Sequence, residues 1–395
     1  MWEIQLKDSF AKRYSNGYPL ITKDTVQSMP DRMEEGSIVQ LTDAKKRFIG
    51  KGYYGIQNKG LGWMLTQQQE ETIDAAFFKQ KIKSALDRRK SFFQDNSTDA
   101  FRVFNGEGDG IGGLVIDYFA GSYLIQWYSQ GIFTFKSMIV QALDATTDYQ
   151  AIYEKKRFDT KGQYVEDDDF VKGKRQTFPI IIKESGMRYA VDLNDGAMVG
   201  IFLDQRDVRR TIREKYAKNK HVLNTFSYTG AFSVAAALGN AAKTTSVDLA
   251  KRSKPKTIEQ FSANDIDFEK QDIIVMDVFD YFKYARRKKL LFDLVVLDPP
   301  SFARSKKRTF STAKDYPMLM KEAISITEKQ GIIIASTNNA SFGMKKFKGF
   351  IDKAFRETNT RYTFLEQFSL PNDFRTNPHF PEGNYLKVAV VKKES

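Results

Sequence analysis

At 395 residues the chain is long enough for two or three domains, each with a buried core. It has no cysteine and only two histidines, His221 and His379, which excludes disulfides, thiolate nucleophiles and cysteine-built metal sites, so no metal is expected. Lysine and arginine number 62 against 49 acidic residues, and the net charge of +13 favours a polyanionic partner such as nucleic acid.

Met1 to Lys12 alternates apolar and charged residues without an apolar leader core and reads as a strand of the mature protein. No apolar run approaches the roughly 20 residues that span a bilayer, so a cytoplasmic protein without membrane contact is expected. Over residues 1–68, short alternating runs such as Ser37 to Leu41 and Phe48 to Tyr54 are punctuated by glycines, the pattern of a small β-barrel. Lys12, Arg13, Lys45, Lys46, Arg47, Lys51 and Lys59 lie among Tyr14, Tyr18, Phe48, Tyr53 and Tyr54. Cations for phosphates beside rings for bases suit RNA, although the same rings would equally serve as core.

Residues 69–183 read as an α+β segment. A basic helix is expected over Ile73 to Asp95, then strands over Leu114 to Tyr118 and Tyr123 to Tyr128. The charged stretch Gly162 to Lys174, with Glu166, Asp167, Asp168 and Asp169, reads as an exposed hairpin tip. Adjacent carboxylates on a strand face opposite ways, which argues against joint chelation.

Residues 184–395 alternate buried strands with helices. Strands are expected at Val222 to Phe226, Thr244 to Asp248, Ile273 to Met276, Leu294 to Asp298, Ile332 to Ser336, Tyr362 to Phe368 and Leu386 to Val391, with helices between the first five. Runs such as Leu294-Val295-Val296-Leu297 suit strands covered on both faces, hence a doubly wound, mostly parallel α/β sheet of seven strands.

In such a sheet a ligand lies beyond the carboxyl ends of the strands. The first strand leads into Phe226-Ser227-Tyr228-Thr229-Gly230, one glycine before a helix whose free amides suit an anionic group, and not the three-glycine fingerprint of a dinucleotide site. Asp248, 18 residues after Gly230, can accept from both ribose hydroxyls of an adenosine. Asp277 and Val278 follow the third strand, where the carboxylate can accept from an adenine amino group or simply cap a helix. Asp298-Pro299-Pro300-Ser301-Phe302 ends the fourth strand; two prolines force the backbone out of the sheet, leaving Asp298 and free carbonyls to accept from a base and Phe302 to stack on it. Asn338 follows the fifth strand on the same crevice, and Phe202 to Arg206, with Gln205, is placed to close it. An acid for ribose, an acid for adenine, one glycine turn and an aromatic clamp describe S-adenosyl-L-methionine better than a nicotinamide nucleotide. Methyl transfer needs in-line placement more than a strong acid or base, because the cofactor carries the activated group.

Across essentially its whole length the chain resembles the family of RlmI-like ribosomal large-subunit methyltransferases. The matches are Asn224 to Phe232, Ser246 to Asp248, Asp277 to Phe279, Asp298 to Phe302, Phe202 to Arg206 and Gly106-Glu107-Gly108-Asp109, with Gly112 where many relatives have proline. The resemblance implies an RNA-gripping PUA domain, a middle α+β domain and a class I, Rossmann-like methyltransferase domain. It also implies 23S rRNA or a large-subunit precursor as partner, S-adenosyl-L-methionine as methyl donor and S-adenosyl-L-homocysteine as product. The sequence is compatible with a homodimer and does not itself reveal the oligomeric state.

Family members that make 5-methylcytosine carry a cysteine at the position aligned with Asn338, and pyrimidine C5 methylation generally needs such a thiolate. With no cysteine anywhere, the chemistry favours a base nitrogen, and guanine N7 first, since its lone pair attacks without deprotonation. The alternatives are 5-methylcytosine formation as in the cysteine-bearing relatives, a non-catalytic RNA-binding assembly factor and a nicotinamide-dependent oxidoreductase.

Overall fold

The structure is a computed structural model, and it describes residues 1–57, 60–158, 168–304 and 309–394. The chain divides into two compact units, the first comprising Met1–Ile180, Asp192–Val199 and Asn372–Gly383, the second Ile181–Val191, Gly200–Pro371 and Asn384–Ser395.

The first unit contains a six-stranded and a five-stranded sheet over a shared core that includes Trp63, Phe78, Phe101 and Trp127. The expected opening strand stops early: Trp2–Leu6 is extended, but Asp8–Ser15 is a helix. The reason lies in Tyr14, which buries its ring and donates from its hydroxyl to the Leu20 carbonyl at 2.8 Å, fixing one face of a turn that alternation alone does not reveal. The expected long helix is split into Ala75–Arg88 and Lys90–Phe93. Asp74 caps the first by accepting from the Phe77 amide at 3.0 Å. Arg89 is drawn inward at the break, donating to Asp109 and to the Asp373 carbonyl.

Asp109 accounts for the glycine-rich Gly106 to Asp109 stretch structurally. Its buried carboxylate accepts from Arg88 at 2.8 Å, from Arg89 at 2.8 and 2.7 Å and from the Asn105 amide at 2.8 Å. Gly112 is confined by Trp63, whose ring would lie 2.0 Å from any Cβ there. Ala151–Lys156 is a central strand that its charges concealed, with Glu154 accepting from Trp127 at 3.0 Å and buried Lys155 paired with Asp169. Asp168 instead pairs with Arg175, so the two neighbouring carboxylates serve different cations. Glu166 and Asp167 lie outside the described residues, as does Lys59.

The second unit is built on a seven-stranded sheet. Its strands are β1 (His221–Thr225), β2 (Lys243–Asp248), β3 (Asp272–Val275), β4 (Phe292–Leu297), β5 (Thr327–Thr337), β6 (Tyr362–Phe368) and β7 (Lys387–Lys393). Their spatial order is β3-β2-β1-β4-β5-β7-β6, with the first five parallel and β7 antiparallel to both neighbours. Helices α1 (Ala231–Leu238), α2 (Ser253–Ser262), α3 (Val278–Arg287) and α4 (Thr312–Ser325) follow the first four strands. A further helix, α5 (Met344–Glu357), was not expected, although Phe347, Ile351, Ala354 and Phe355 give it a buried stripe at helical spacing. The strand order reverses between β1 and β4, opening a crevice beyond their carboxyl ends.

Candidate active site

The crevice is a cavity of about 380 Å³ within the second unit. One wall is the turn after β1. Phe226, Tyr228 and Gly230 all adopt the left-handed backbone region, with φ of 53°, 51° and 80°, and two of these three residues carry bulky side chains that disfavour it. The turn is held by hydrogen bonds: Ser227 N–H donates to the Val247 carbonyl at 3.0 Å, Tyr228 N–H to Asp248 Oδ2 at 2.9 Å, and Thr229 Oγ1 to the Gly200 carbonyl at 2.7 Å.

Phe226, Ser227, Tyr228 and Thr229 line the cavity, but Gly230 does not. A Cβ at Gly230 would lie 2.6 Å from Thr257 Cγ2, so this glycine serves its backbone angle and the close approach of α2.

Asp248 lines the cavity from the end of β2, its Oδ1 accepting from the Ala250 amide at 2.8 Å. Asp277 caps α3 by accepting from Phe279 and Asp280 amides at 3.0 and 3.3 Å through Oδ1, and it lines the cavity with Val278 and Phe279. Capping and ligand contact are compatible because the second carboxylate oxygen is not used by either bond.

From β4, Asp298, Pro299 and Pro300 form the floor. Loss of hydration pushes the Asp298 carboxyl up to about 6, and the nearby Asp204 adds to this, while the Ser336 hydroxyl, the Arg209 cation and the Gln205 amide oppose it. Gln205 Nε2 donates to Ser336 Oγ at 2.8 Å. Its Oε1 is buried and has no hydrogen-bond partner among the described residues, an acceptor awaiting a donor such as an ammonium group. Arg206, expected beside it, is buried at the start of the next helix and is not part of the lining.

Phe302 is 62% exposed, on the strand Phe302–Arg304, outside the cavity lining. The returning strand, Thr309–Ser311, delivers Phe310 instead, whose ring is nearly parallel to Phe226 with centroids 6.5 Å apart. Asn338 lines the rim, accepting at Oδ1 from Ser301 Oγ at 2.5 Å.

Asp204 belongs to the Phe202 to Arg206 segment expected to close the crevice, whereas sequence reasoning missed Arg209 and Leu386 as lining residues. Arg209 donates to both oxygens of buried Glu184, at 2.7 and 2.6 Å, and to the Phe202 carbonyl at 2.8 Å. Asp204 accepts from the Tyr385 hydroxyl at 2.9 Å.

In the first unit, Lys12, Arg13, Lys45, Lys46 and Arg47 are exposed. The Arg13 guanidinium lies 3.4 Å over the Tyr18 ring, Arg47 pairs with Asp43 at 2.6 Å, and Lys51 donates to the Glu71 carbonyl at 3.0 Å. Tyr14, Tyr18 and Tyr53 are buried in the core and do not form an open stacking surface. Among the described residues no helix is long and apolar enough to cross a membrane.

The geometry fits an adenosyl amino acid: acidic groups at two strand ends, apolar walls between them and an unsatisfied acceptor at Gln205. Comparison with known proteins agrees. The description "S-adenosylmethionine-dependent methyltransferase" matches residues 147–384, and a PUA-like domain matches residues 4–67. The chain is 62% identical over 99% of both chains to YwbD of Bacillus subtilis (strain 168), which is named as a ribosomal RNA large subunit methyltransferase. It is 29% identical, over 94% of both chains, to ribosomal RNA large subunit methyltransferase I of Yersinia pseudotuberculosis. The crystal structure of SMU.776 complexed with SAH superposes with a TM-score of 0.91 at 39% identity, covering 99% of this chain and 100% of that one. The chain therefore belongs to the S-adenosylmethionine-dependent methyltransferases, with a PUA-like domain at its amino-terminal end.

Proposed function

We propose that this enzyme methylates a base nitrogen of large-subunit ribosomal RNA, 23S rRNA or its precursor, and that the nitrogen is guanine N7. The observation that carries the reading is the complete absence of cysteine, combined with Asn338 at the rim. Without a thiolate there is no nucleophile of the kind used to activate a pyrimidine carbon.

When bound, S-adenosyl-L-methionine supplies an electrophilic methyl group on a sulfonium. Asp248 would hold the ribose, Asp277 and the Val278 backbone the adenine, and Gln205 Oε1 the amino group, with Phe226 to Thr229 shaping the wall. Asp298 and the carbonyls of the two prolines would hold the base. As the N7 lone pair forms its bond to the methyl carbon and the carbon–sulfur bond breaks, the base gains a positive charge and no proton is released. A poorly hydrated carboxylate at Asp298, ionised above about pH 6, stabilises that developing cation. Exposed Lys12, Arg13, Lys45, Lys46 and Arg47, with Lys51, would contact RNA phosphates.

The test is mass spectrometry of ribosomal RNA nucleosides from a deletion strain and its parent. Loss of 7-methylguanosine supports the proposal, and loss of 5-methylcytidine instead would overturn it.

A further inference from the structure

The two turns that border the base side of the cavity are tied to one another. The Ser301 carbonyl accepts from the Thr312 amide at 3.1 Å and from Thr312 Oγ1 at 3.3 Å. Thr312 Oγ1 in turn accepts from Asn339 Nδ2 at 3.0 Å. Behind it, Lys387, nearly buried on β7, donates from Nζ to the Asn339 carbonyl at 2.8 Å. The Asn339 amide donates to Thr337 Oγ1 at 3.2 Å, and Asn339 Oδ1 accepts from the Ser341 amide at 2.9 Å. The backbone on both sides of Asn338 is thus held in place.

Within this frame Asn338 is the one side chain of the second turn that lines the cavity and stays exposed. Its carbonyl oxygen is taken by the Ser301 hydroxyl. An amide has one acceptor end and one donor end, so committing Oδ1 to Ser301 leaves the Nδ2 donors for a ligand. The two purines differ at this point: beside N7, guanine carries the O6 acceptor and adenine carries an amino donor. From this we infer that the Ser301–Asn338 pair is a specificity device, orienting the Asn338 amide so that it donates to guanine O6 and disfavours adenine.

This inference rests on the guanine N7 reading and adds to it the group that selects the base. Its test is a chemical double-mutant cycle on an RNA fragment spanning the methylated nucleotide, carrying either guanosine or 6-thioguanosine at that position. The thio analogue keeps N7 and N1–H and weakens the acceptor at position 6, and the N7-methylated product, identified by mass spectrometry, is the one counted. Wild-type enzyme is expected to prefer guanosine by about tenfold in kcat/KM, the effect of one well-placed hydrogen bond. Asn338→Ala should lower the guanosine rate and treat the two substrates alike, within about twofold. Ser301→Ala should give an intermediate preference, because the amide is then free to turn over. Binding of S-adenosyl-L-homocysteine should be unchanged in both variants, which reports on the fold independently of turnover. If Asn338→Ala still forms 7-methylguanosine and keeps the wild-type preference, the inference is overturned while the proposed function stands. A wild-type product other than 7-methylguanosine would overturn both.

Discussion

Asp298→Asn is expected to stabilise the protein while disabling it. In the folded chain the carboxyl titrates near 6, against an ordinary value of 3.8, because the cavity floor withholds water from its charge. At about 1.4 kcal/mol per pH unit this places an upper bound of about 3 kcal/mol on what the ionised group costs the fold. Asparagine keeps an acceptor for Ser336 and lacks the charge, so a gain of about 1–2 kcal/mol is realistic. That corresponds to roughly 2–8 °C in Tm for a unit of this size. The sign follows from proton binding. Between pH 4 and 6 the folded state holds the Asp298 proton more tightly than the unfolded chain, so wild-type stability from this group falls as pH rises through that window. The variant does not titrate there, so its advantage should be full above about pH 6 and vanish below about pH 4. Turnover of ribosomal RNA from a deletion strain, read by labelled methyl transfer, should drop at least about 100-fold because the charge facing the developing cation is lost. A variant that melts below the wild type at pH 8 would refute the desolvation argument, and one with normal turnover would remove Asp298 from the chemistry.

Wild-type kcat should itself fall as pH drops through about 6, as Asp298 becomes neutral, and a flat profile from pH 5 to 8 would contradict that role. Asp248→Ala should weaken S-adenosyl-L-methionine binding by about 10- to 150-fold in calorimetry, since charge-assisted hydrogen bonds contribute about 1.5–3 kcal/mol; unchanged affinity would exclude the ribose assignment. Gly230→Ala forces a side chain onto a backbone at φ of 80° and a Cβ within 2.6 Å of Thr257 Cγ2, so urea unfolding should show a loss of about 2 kcal/mol or more. Replacing Lys45, Lys46 and Arg47 together by alanine should reduce the slope of log affinity against log salt for RNA by up to about 2, without altering cofactor affinity. An unaltered slope would move the RNA contact elsewhere.

The sheet was legible because its signal is local. Leu294 to Leu297 is apolar on both faces, as a strand covered by helices must be, and such runs recur at intervals that leave room for a crossover helix. The acids at Asp248, Asp277 and Asp298 could be read for the same reason: each stands at the carboxyl end of its run, and parallel strands bring those ends to one side. Where an element is defined by a distant partner, the pattern misled. Met1 to Lys12 alternates like a strand, yet Tyr14 anchors a helix through Leu20 and Thr25. Glu154 and Lys155 look like surface charges, yet they are buried because Trp127, Lys136 and Asp169 receive them.

By itself the sequence determined the α/β class, the strand ends that face the ligand and the exclusion of thiolate chemistry, all of which follow from residue identity and short-range periodicity. Tertiary structure alone decided which ring enters the cavity, Phe310 and not Phe302, because only the closure of a hairpin tells the two apart. It also decided that Glu184 holds Arg209 and that the Ser301 hydroxyl donates to Asn338, contacts between residues 25 and 37 positions apart. Side-chain direction at such separations depends on how strands and turns pack in space, and no local rule of propensity or spacing encodes it.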